Sequence, residues 1–253
     1  MTIFRSSLIW WSILLVIVWL TPVAFTTIGA DSPLAIPAYW ISASGGKYGT
    51  AILLLVACLF YTRLVEDPAM KVKTFLRSML MLCLTLGILA FINEHLVKER
   101  LKIHRPSHHY VFNQLGSADQ ENNFYQFESD LRQEIMDSLI RQNLPKLSNV
   151  HVKVLDHWIE ESGFSFPSGH SFNSFLLAAI LAFSMKYSRS KTARRFYLVP
   201  YIWAVLVATS RVTLGAHSPM DVTFGSGMGL LTGNLLLFFE PSRNIIMHRD
   251  YTP

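Results

Sequence analysis

Three short motifs hold the residues of this chain that are best suited to chemistry. They read Lys98-x6-Arg105-Pro106, Pro167-Ser168-Gly169-His170 and Ser210-Arg211-x3-Gly215-x-His217-x3-Asp221. Together they supply three cations, two imidazoles and a carboxylate. Removing a phosphoryl group from a lipid needs cations to hold the anion, a nucleophile to accept the group and an acid to protonate the leaving oxygen. The inventory therefore favours phosphoryl-transfer chemistry.

The first motif combines two cations with a proline. Lys98 and Arg105 are seven residues apart, which is two helical turns if the helix persists, so both would lie on one face. Pro106 is then predicted to end that helix. The alternative is a pair of interfacial charges that contact lipid headgroups, since Arg100 and Lys102 show that cations are common in this stretch.

The second motif stands at the start of an apolar run. Proline and serine are typical of helix starts, and Gly169 would let the backbone approach a ligand closely. The free amides and the dipole of the following helix would then face an anion. The alternative is simple N-capping by Ser168, with His170 uninvolved.

The third motif pairs an imidazole with a carboxylate. His217 and Asp221 are four residues apart, so the carboxylate could bind one ring nitrogen and leave the other free to attack. Arg211 adds a permanent charge with bidentate geometry for phosphate oxygens. The alternative is a buried His-Asp pair that ties two helices together.

The elements that must position these motifs are predicted to be membrane helices. The 253 residues are 51% hydrophobic and 15% charged, with a mean hydropathy of +0.32. Six stretches have no Asp, Glu, Lys or Arg, and His170 is their single histidine, namely 6–30, 48–62, 78–93, 163–185, 196–210 and 222–239. Several are shorter than the roughly 20 residues that cross a bilayer core, so the prediction rests on the whole set. We expect the first stretch to be an uncleaved signal-anchor helix, because it exceeds the roughly 7–15 apolar residues of a signal peptide.

The net charge of +5 is distributed as in a membrane protein. Basic residues crowd the termini and two alternate connections: Arg5, Arg63, Lys71, Lys73, Arg77, Lys186, Arg189, Lys191, Arg194, Arg195, Arg243 and Arg249. The positive-inside rule puts both termini in the cytoplasm and all three motifs outside. This placement disfavours a nucleic-acid partner.

One polar insertion, residues 107–162, separates the third and fourth predicted membrane helices. It carries nine Asp or Glu residues against four Lys or Arg residues. Apolar residues recur at helical spacing at Phe124, Phe127, Leu131, Ile135 and Leu139, which predicts an amphipathic helix. The sequence leaves open whether this segment is a passive cap or a lid over the site.

The three motifs in this order resemble the signatures of the type 2 phosphatidic acid phosphatase superfamily. The resemblance runs over about residues 94–221 and matches every defining position. The length of the insertion and the segment Glu161-Ser162-Gly163-Phe164-Ser165-Phe166 look like the bacterial phosphatidylglycerophosphate phosphatases of type B. The resemblance implies an all-α bundle of six transmembrane helices, forming one domain over residues 1–253 with the extracytoplasmic insertion 107–162.

The resemblance also implies roles for individual residues. His217 would be the nucleophile that forms a phosphohistidine, oriented by Asp221, and His170 would protonate the leaving alkoxide. The phosphate would be held by Lys98, Arg105, Ser168, Gly169 and Arg211. Glu161 would support substrate binding or acid-base chemistry, and neither a metal nor another cofactor is expected. His95, His104, His108 and His109 receive no role and are expected at the membrane interface.

The expected function is hydrolysis of phosphatidylglycerophosphate to phosphatidylglycerol at the outer face of a bacterial inner membrane. Side activity is expected on phosphatidic acid, lysophosphatidic acid and undecaprenyl pyrophosphate. One alternative is a dedicated undecaprenyl pyrophosphate phosphatase. Another, from a different class, is a non-catalytic lipid-binding or transport protein. The related vanadium haloperoxidases share the oxyanion cradle but are soluble, so the apolar stretches disfavour them.

Overall fold

The computed structural model describes residues 3–20, 29–62, 65, 67–188 and 190–238. Its regular secondary structure within these ranges is entirely helical, in agreement with the predicted all-α class. Several basic residues on which the topology prediction rests, Arg63, Arg189, Arg243 and Arg249, lie outside the described residues. So does segment 21–28, the end of the first predicted stretch.

The helices fall into two bundle segments and a cap between them. The first segment contains α1 (Ile3–Leu20), α2 (Ala35–Ser44), α3 (Lys47–Thr62), α4 (Pro68–Ile92), a π-helical stretch (Asn93–Lys98) and α5 (Glu99–Leu101). The cap contains α6 (Pro106–Gln114), α7 (Glu121–Phe124), α8 (Ser129–Gln142) and α9 (Val152–Glu160), with 3₁₀ turns at Ala118–Gln120 and Leu144–Leu147. The last segment contains α10 (Gly169–Lys186), α11 (Lys191–Arg195), α12 (Val199–Thr213) and α13 (Pro219–Phe238).

Two described helices are long and apolar enough to cross a membrane, α1 and the continuous helix Pro68–Leu101. The α2–α3 pair, bent by 54°, would add a third span. The six predicted spans are therefore only partly supported. Helix α10 packs mainly against α12 and α13, and its buried residues include Ser171, Ser174 and Ser184. Such inward-facing polar residues lower the hydropathy of a helix that is shielded by its neighbours.

Helices α10 and α13 approach closely because glycines face the contact. A Cβ atom on Gly225 would lie 2.4 Å from the carbonyl oxygen of Ser168, and one on Gly229 would lie 2.1 Å from that of Phe172. Only a residue without a side chain fits at these distances. The start of α10, which carries the second motif, is thereby pressed against α13, which carries Asp221.

The cap has its own apolar core, which extends onto the bundle. Val111, Phe112, Met136 and Trp158 pack in one cluster with Ala35 and Ala38 of α2 and with Leu214. The Trp158 indole donates a hydrogen bond to the Leu214 carbonyl at 2.6 Å. The cap is therefore attached to the segment between α12 and α13 that holds His217.

At least one amphipathic helix was predicted in the insertion, and α8 confirms it, with α7 as a second helix before it. The chain leaves α7 after Phe124, and α8 begins at Ser129. The buried face of α8 consists of Arg132, Met136 and Ile140. Leu131 is 42% exposed, so the predicted stripe is displaced by one residue. Helix α9, which ends immediately before Glu161, had no predicted counterpart.

The predicted helix from Lys98 through Arg105 is wrong. It ends at Leu101, and Lys102 takes a left-handed conformation with φ of 49°. Arg105 is extended, with φ of −79° and ψ of 140°, and Pro106 begins α6. The physical reason is that proline disfavours the helical conformation in the preceding residue but suits the first position of a helix.

Candidate active site

Residues from all three motifs meet at one end of the bundle, around a cavity of about 240 Å³. Lys98, Arg105, Glu161, Gly169, His170 and His217 line it. The end of the α4–α5 helix and the start of α10 supply Lys98 and His170, while the segment between α12 and α13 supplies His217. Ser168, Arg211 and Asp221 stand directly behind this lining, because each contacts an element that forms the wall.

His217 is held on both ring nitrogens. Its Nδ1 lies 3.5 Å from Asp221 Oδ2 and 3.3 Å from Ser165 Oγ. Asp221 Oδ2 accepts hydrogen bonds from Ser165 Oγ at 2.5 Å and from the Ser218 amide at 2.7 Å. Nε2 is on the cavity side, 3.4 Å from Arg105 Nη1. This arrangement fixes the ring and presents Nε2 to an anion bound near Arg105.

Arg105 is anchored by backbone carbonyls rather than by its helix. Its Nε donates to Gly163 O at 2.8 Å and its Nη1 to Ala216 O at 3.0 Å. Its own amide donates to the Tyr125 hydroxyl at 2.8 Å. The side chain is almost fully buried, so a charge that is rigid and poorly solvated faces the cavity.

Glu161 bridges the two motif arginines. Oε2 lies 2.9 Å from Arg105 Nη2, and Oε1 accepts a hydrogen bond from Arg211 Nη2. Burial acts to raise the pKa of Glu161, but Arg211 and then Arg105 outweigh it and hold that pKa well below the usual range. Glu161 is therefore a carboxylate that pairs with both motif arginines.

Arg211 lies deepest in the site and is fully buried. Its Nη1 donates to Ser42 Oγ at 2.6 Å and lies 2.9 Å from His157 Nε2. Its Nε has no hydrogen-bond partner within the described part of the chain. Contacts from α2, α9 and Glu161 thus hold the guanidinium in place, and they leave its Nε–H group without an acceptor among the described residues.

Lys98 is the remaining motif cation. Its Nζ lies 2.6 Å from Glu94 Oε1, and only 7% of its side chain is exposed. Both residues belong to the π-helical stretch, a feature that is frequent at functional sites. The wider turn brings the Lys98 side chain onto the cavity although Arg105 is no longer on the same helix.

Ser168 and Gly169 start α10 at the cavity wall. Ser168 is the N-cap of α10: its Oγ accepts from the Ser171 amide at 3.4 Å, and its own amide donates to Asp221 O at 3.1 Å. A Cβ atom on Gly169 would meet only Asn93 Nδ2 at 3.8 Å, so sterics alone do not require glycine there. Ser168 is buried and does not line the cavity. Its observed contacts are those of a helix N-cap, which was the alternative to phosphate binding.

His170 stands between two cavities. It lines the polar cavity and also a cleft of about 530 Å³ between α3, α4 and α10. Leu86, Leu89 and Phe172 give this cleft an apolar side, and a Cβ atom on Gly46 would lie 2.9 Å from His170 Nε2. His170 therefore separates the polar cavity from a cleft with an apolar side.

Burial is the largest cause of the lowered pKa of His217. It lowers the pKa of His217 to about 3, and Arg105 and Arg211 add to this effect against the opposing influence of Asp221. The imidazole is therefore neutral near pH 7. A neutral imidazole has the lone pair that nucleophilic attack requires.

Several contributors to the site were not singled out from the sequence. Ser165 contacts the His217–Asp221 pair, and His157 and Ser42 contact Arg211. Ser165 belongs to the segment that carries the family resemblance, and His157 is four residues before Glu161, so both had a sequence signal. Ser42, on α2, had none.

Of the four histidines without a predicted role, His108 is not interfacial. It is fully buried, with Nδ1 2.7 Å from the Tyr125 hydroxyl. His104 and His109 both bind Glu121, at 2.9 Å and 2.8 Å. Over the ranges that the structure describes, no three His, Cys, Asp or Glu side chains are grouped to hold a metal ion.

Comparison with known protein families identifies the family to which the chain belongs. A family model of the PAP2 superfamily matches residues 78–244, more than half of the chain. The chain therefore belongs to the PAP2 superfamily, as the three motifs predicted.

Three relatives named phosphatidylglycerophosphatase B illustrate the similarity. The Bacillus subtilis protein is 40% identical over 35% of this chain and 50% of its own length. The Haemophilus influenzae protein is 27% identical over 56% of this chain and 58% of its own length. The Escherichia coli protein is 26% identical over 78% of this chain and 81% of its own length. The chain thus spans little more than half the length of the first two relatives.

Proposed function

We propose that this chain is a membrane phosphatase that hydrolyses phosphatidylglycerophosphate to phosphatidylglycerol. The observation that carries the proposal is the position of His217, whose Nε2 lies 3.4 Å from Arg105 Nη1 in a cavity shared with Lys98 and His170. The names of the three relatives support the choice of substrate. Phosphatidic acid, lysophosphatidic acid and undecaprenyl pyrophosphate are proposed as further substrates.

In the first step, His217 Nε2 attacks phosphorus and the bond to the glycerol oxygen breaks. His170 gives its proton to the departing alkoxide, and a phosphohistidine remains on His217. Asp221 stabilises the positive charge that the ring acquires. Lys98, Arg105 and Arg211 hold the phosphoryl oxygens, which share the arginine donors with Glu161.

In the second step, water attacks the phosphohistidine. Neutral His170 accepts a proton from the water, inorganic phosphate leaves, and His217 returns to its neutral form. Fixed cations provide the charge stabilisation in both steps, so we propose that catalysis needs no divalent metal.

The membrane arrangement is also part of the proposal. We infer six spans, formed by α1, the α2–α3 pair, the α4–α5 helix, α10, α12 and α13, with both termini in the cytoplasm. The site would then face the periplasm of a bacterial inner membrane. The phosphate of the lipid would then enter the polar cavity.

Phosphate release from a panel of lipid phosphates by the purified full chain tests the function. Wild type should release phosphate with and without EDTA, and His217→Ala should neither turn over nor form a phosphoenzyme. His109→Ala is the control, because its side chain is 63% exposed and lies outside the cavity. Loss of activity in EDTA that Mg²⁺ restores would contradict metal independence.

The same panel separates the alternatives. A much higher rate on undecaprenyl pyrophosphate than on phosphatidylglycerophosphate would favour the dedicated pyrophosphate phosphatase. Lipid binding by wild type without phosphate release from any panel member would favour a binding or transport protein. Turnover by His217→Ala within tenfold of wild type would refute the nucleophile assignment.

A further inference from the structure

A second polar cavity, of about 430 Å³, lies between the end of the α4–α5 helix and the cap. Its lining includes Lys102, His104, Tyr125, Glu128, Arg132 and Phe164. It shares no lining residue with the active-site cavity. At four places, however, neighbours in the chain line opposite cavities: Lys98 and Glu99, His104 and Arg105, Glu128 and Ser129, and Phe164 and Gly163. The two cavities therefore lie on either side of these four segments.

Arg132 is the unusual residue of this cavity. It is only 4% exposed, and its Nε and Nη1 are buried without a hydrogen-bond partner among the residues described here. Its guanidinium lies over the rings of Phe164, at 4.8 Å, and Tyr125, at 5.4 Å. Buried charged groups are normally paired, so a buried guanidinium with two unused donors requires an explanation.

The carboxylates of the cavity do not satisfy Arg132. Glu99 and Glu128 both line it, yet neither accepts a hydrogen bond from Arg132 Nε or Nη1. Lys102 supplies a second cation, and the His104 ring is already bound to Glu121. The cavity thus offers donors for an oxyanion together with carboxylates that can accept hydrogen bonds from hydroxyl or amino groups.

The position of the cavity indicates where its ligand comes from. Lys102 directly follows Leu101, the last residue of the long apolar helix that can cross a membrane. Phe127 and Leu131, beside the cavity on the cap, are 45% and 42% exposed. A cavity just beyond the end of a membrane helix and flanked by exposed apolar side chains lies at the level of lipid headgroups.

We propose that this cavity binds the phosphodiester group of a phospholipid headgroup. Arg132 and Lys102 donate to the phosphodiester oxygens, while Glu99 and Glu128 accept hydrogen bonds from the hydroxyl or amino groups of the same headgroup. The phosphodiester belongs either to the substrate, whose phosphomonoester then lies in the adjacent active site, or to a neighbouring lipid. The first case rests on the proposed function, whereas binding itself does not depend on turnover.

Binding is measured with purified full chain and short-chain phosphatidylglycerol, with inorganic phosphate as a separate probe. Arg132→Gln should weaken phosphatidylglycerol binding at least tenfold, and Arg132→Lys should weaken it less because the charge remains. Arg141→Gln is the matched control, since Arg141 is on the same helix but is half-exposed and binds Asp137 and Asp156. Its affinity should equal that of wild type.

A folded Arg132→Gln protein that binds phosphatidylglycerol within twofold of wild type would overturn the proposal. If Arg132→Gln does not fold, Arg132→Lys and Lys102→Gln decide, because Lys102 is exposed and its replacement leaves packing intact. Wild-type affinity in both would also overturn it. An Arg132→Gln protein that loses only inorganic phosphate binding would assign the cavity to a free ion and refute the headgroup assignment.

Kinetics identify the source of the phosphodiester. If the substrate spans both cavities, Arg132→Gln should raise KM for phosphatidylglycerophosphate at least tenfold more than KM for lysophosphatidic acid, which has no phosphodiester. Equal changes for both substrates, together with lost phosphatidylglycerol binding, would assign the cavity to a neighbouring lipid. If neither substrate is hydrolysed, the proposed function fails, and the binding measurements still decide the cavity.

Discussion

Replacing Asp221 with asparagine removes the negative charge that faces His217 and leaves the shape of the side chain almost unchanged. The affected contact joins Asp221 Oδ2 and His217 Nδ1, which are 3.5 Å apart. At an effective dielectric constant of about 20, two unit charges at this distance interact by about 5 kcal/mol. If about half of a unit charge has developed on the imidazole in the transition state, the substitution costs about 2.4 kcal/mol, or roughly 60-fold in kcat.

The assay is the initial rate of phosphate release at saturating substrate, with trapping of the phosphoenzyme in a single turnover. Both kcat and the rate of phosphoenzyme formation should fall, because the charge acts on His217 in the attack itself. Ser165→Ala removes one hydrogen-bond donor to Asp221 but keeps the carboxylate and its hydrogen bond from the Ser218 amide. The kcat of this variant should therefore fall by less than about tenfold. Asp156→Asn is the control and should match wild type, because Asp156 is only partly buried and binds Arg141 away from the cavity.

Two results would refute this reasoning. The first is an Asp221→Asn enzyme within threefold of wild type in a preparation where His217→Ala is inactive. The second is a larger loss for Ser165→Ala than for Asp221→Asn, which would give the hydroxyl, not the charge, the main role.

Three further predictions concern proton transfer, pH and sidedness. His170→Ala should lose much less activity on aryl phosphates than on lipid phosphates, because an acidic alcohol leaves without a proton donor; equal losses would contradict the general-acid role. Since burial lowers the pKa of His217 to about 3, its nucleophilic neutral form persists as pH falls from 8 to 5. Any acidic limb of phosphoenzyme formation from aryl phosphates should therefore move with the phosphate pKa of the substrate, and a limb fixed near 6.5 for every substrate would assign the titration to His217 instead. In a variant without Cys58 and Cys83, single cysteines replacing the exposed Asp119 and Thr192 should differ in labelling by an impermeant thiol reagent on intact cells, with only position 119 reacting. Labelling of position 192 alone would move the site to the cytoplasm.

The local geometry of the motifs was readable from the sequence because it depends on residue type and short spacing. The distance between His217 and Asp221 follows from four residues of chain, and Ser168 caps α10 because serine accepts amide hydrogen bonds at a helix start. Helix positions followed in the same way from uncharged runs, as α3 and α12 illustrate. These are local properties, which the chain expresses without distant contacts.

The tertiary structure alone decided how the motifs meet. Lys98 and Arg105 line the same cavity, but they do not lie on a common helix face. Lys98 ends a π-helical stretch, whereas Arg105 is in an extended segment before Pro106. The carbonyls of Gly163 and Ala216 fix the Arg105 side chain. The Glu161 bridge between Arg105 and Arg211 and the contact of Ser42 with Arg211 join residues 50 to 169 positions apart. Arg132 lies one residue beyond the apolar stripe that the sequence predicted, and only packing against Tyr125 and Phe164 shows that its charge is buried. Such contacts depend on how helices pack, and no local pattern of residue types encodes that.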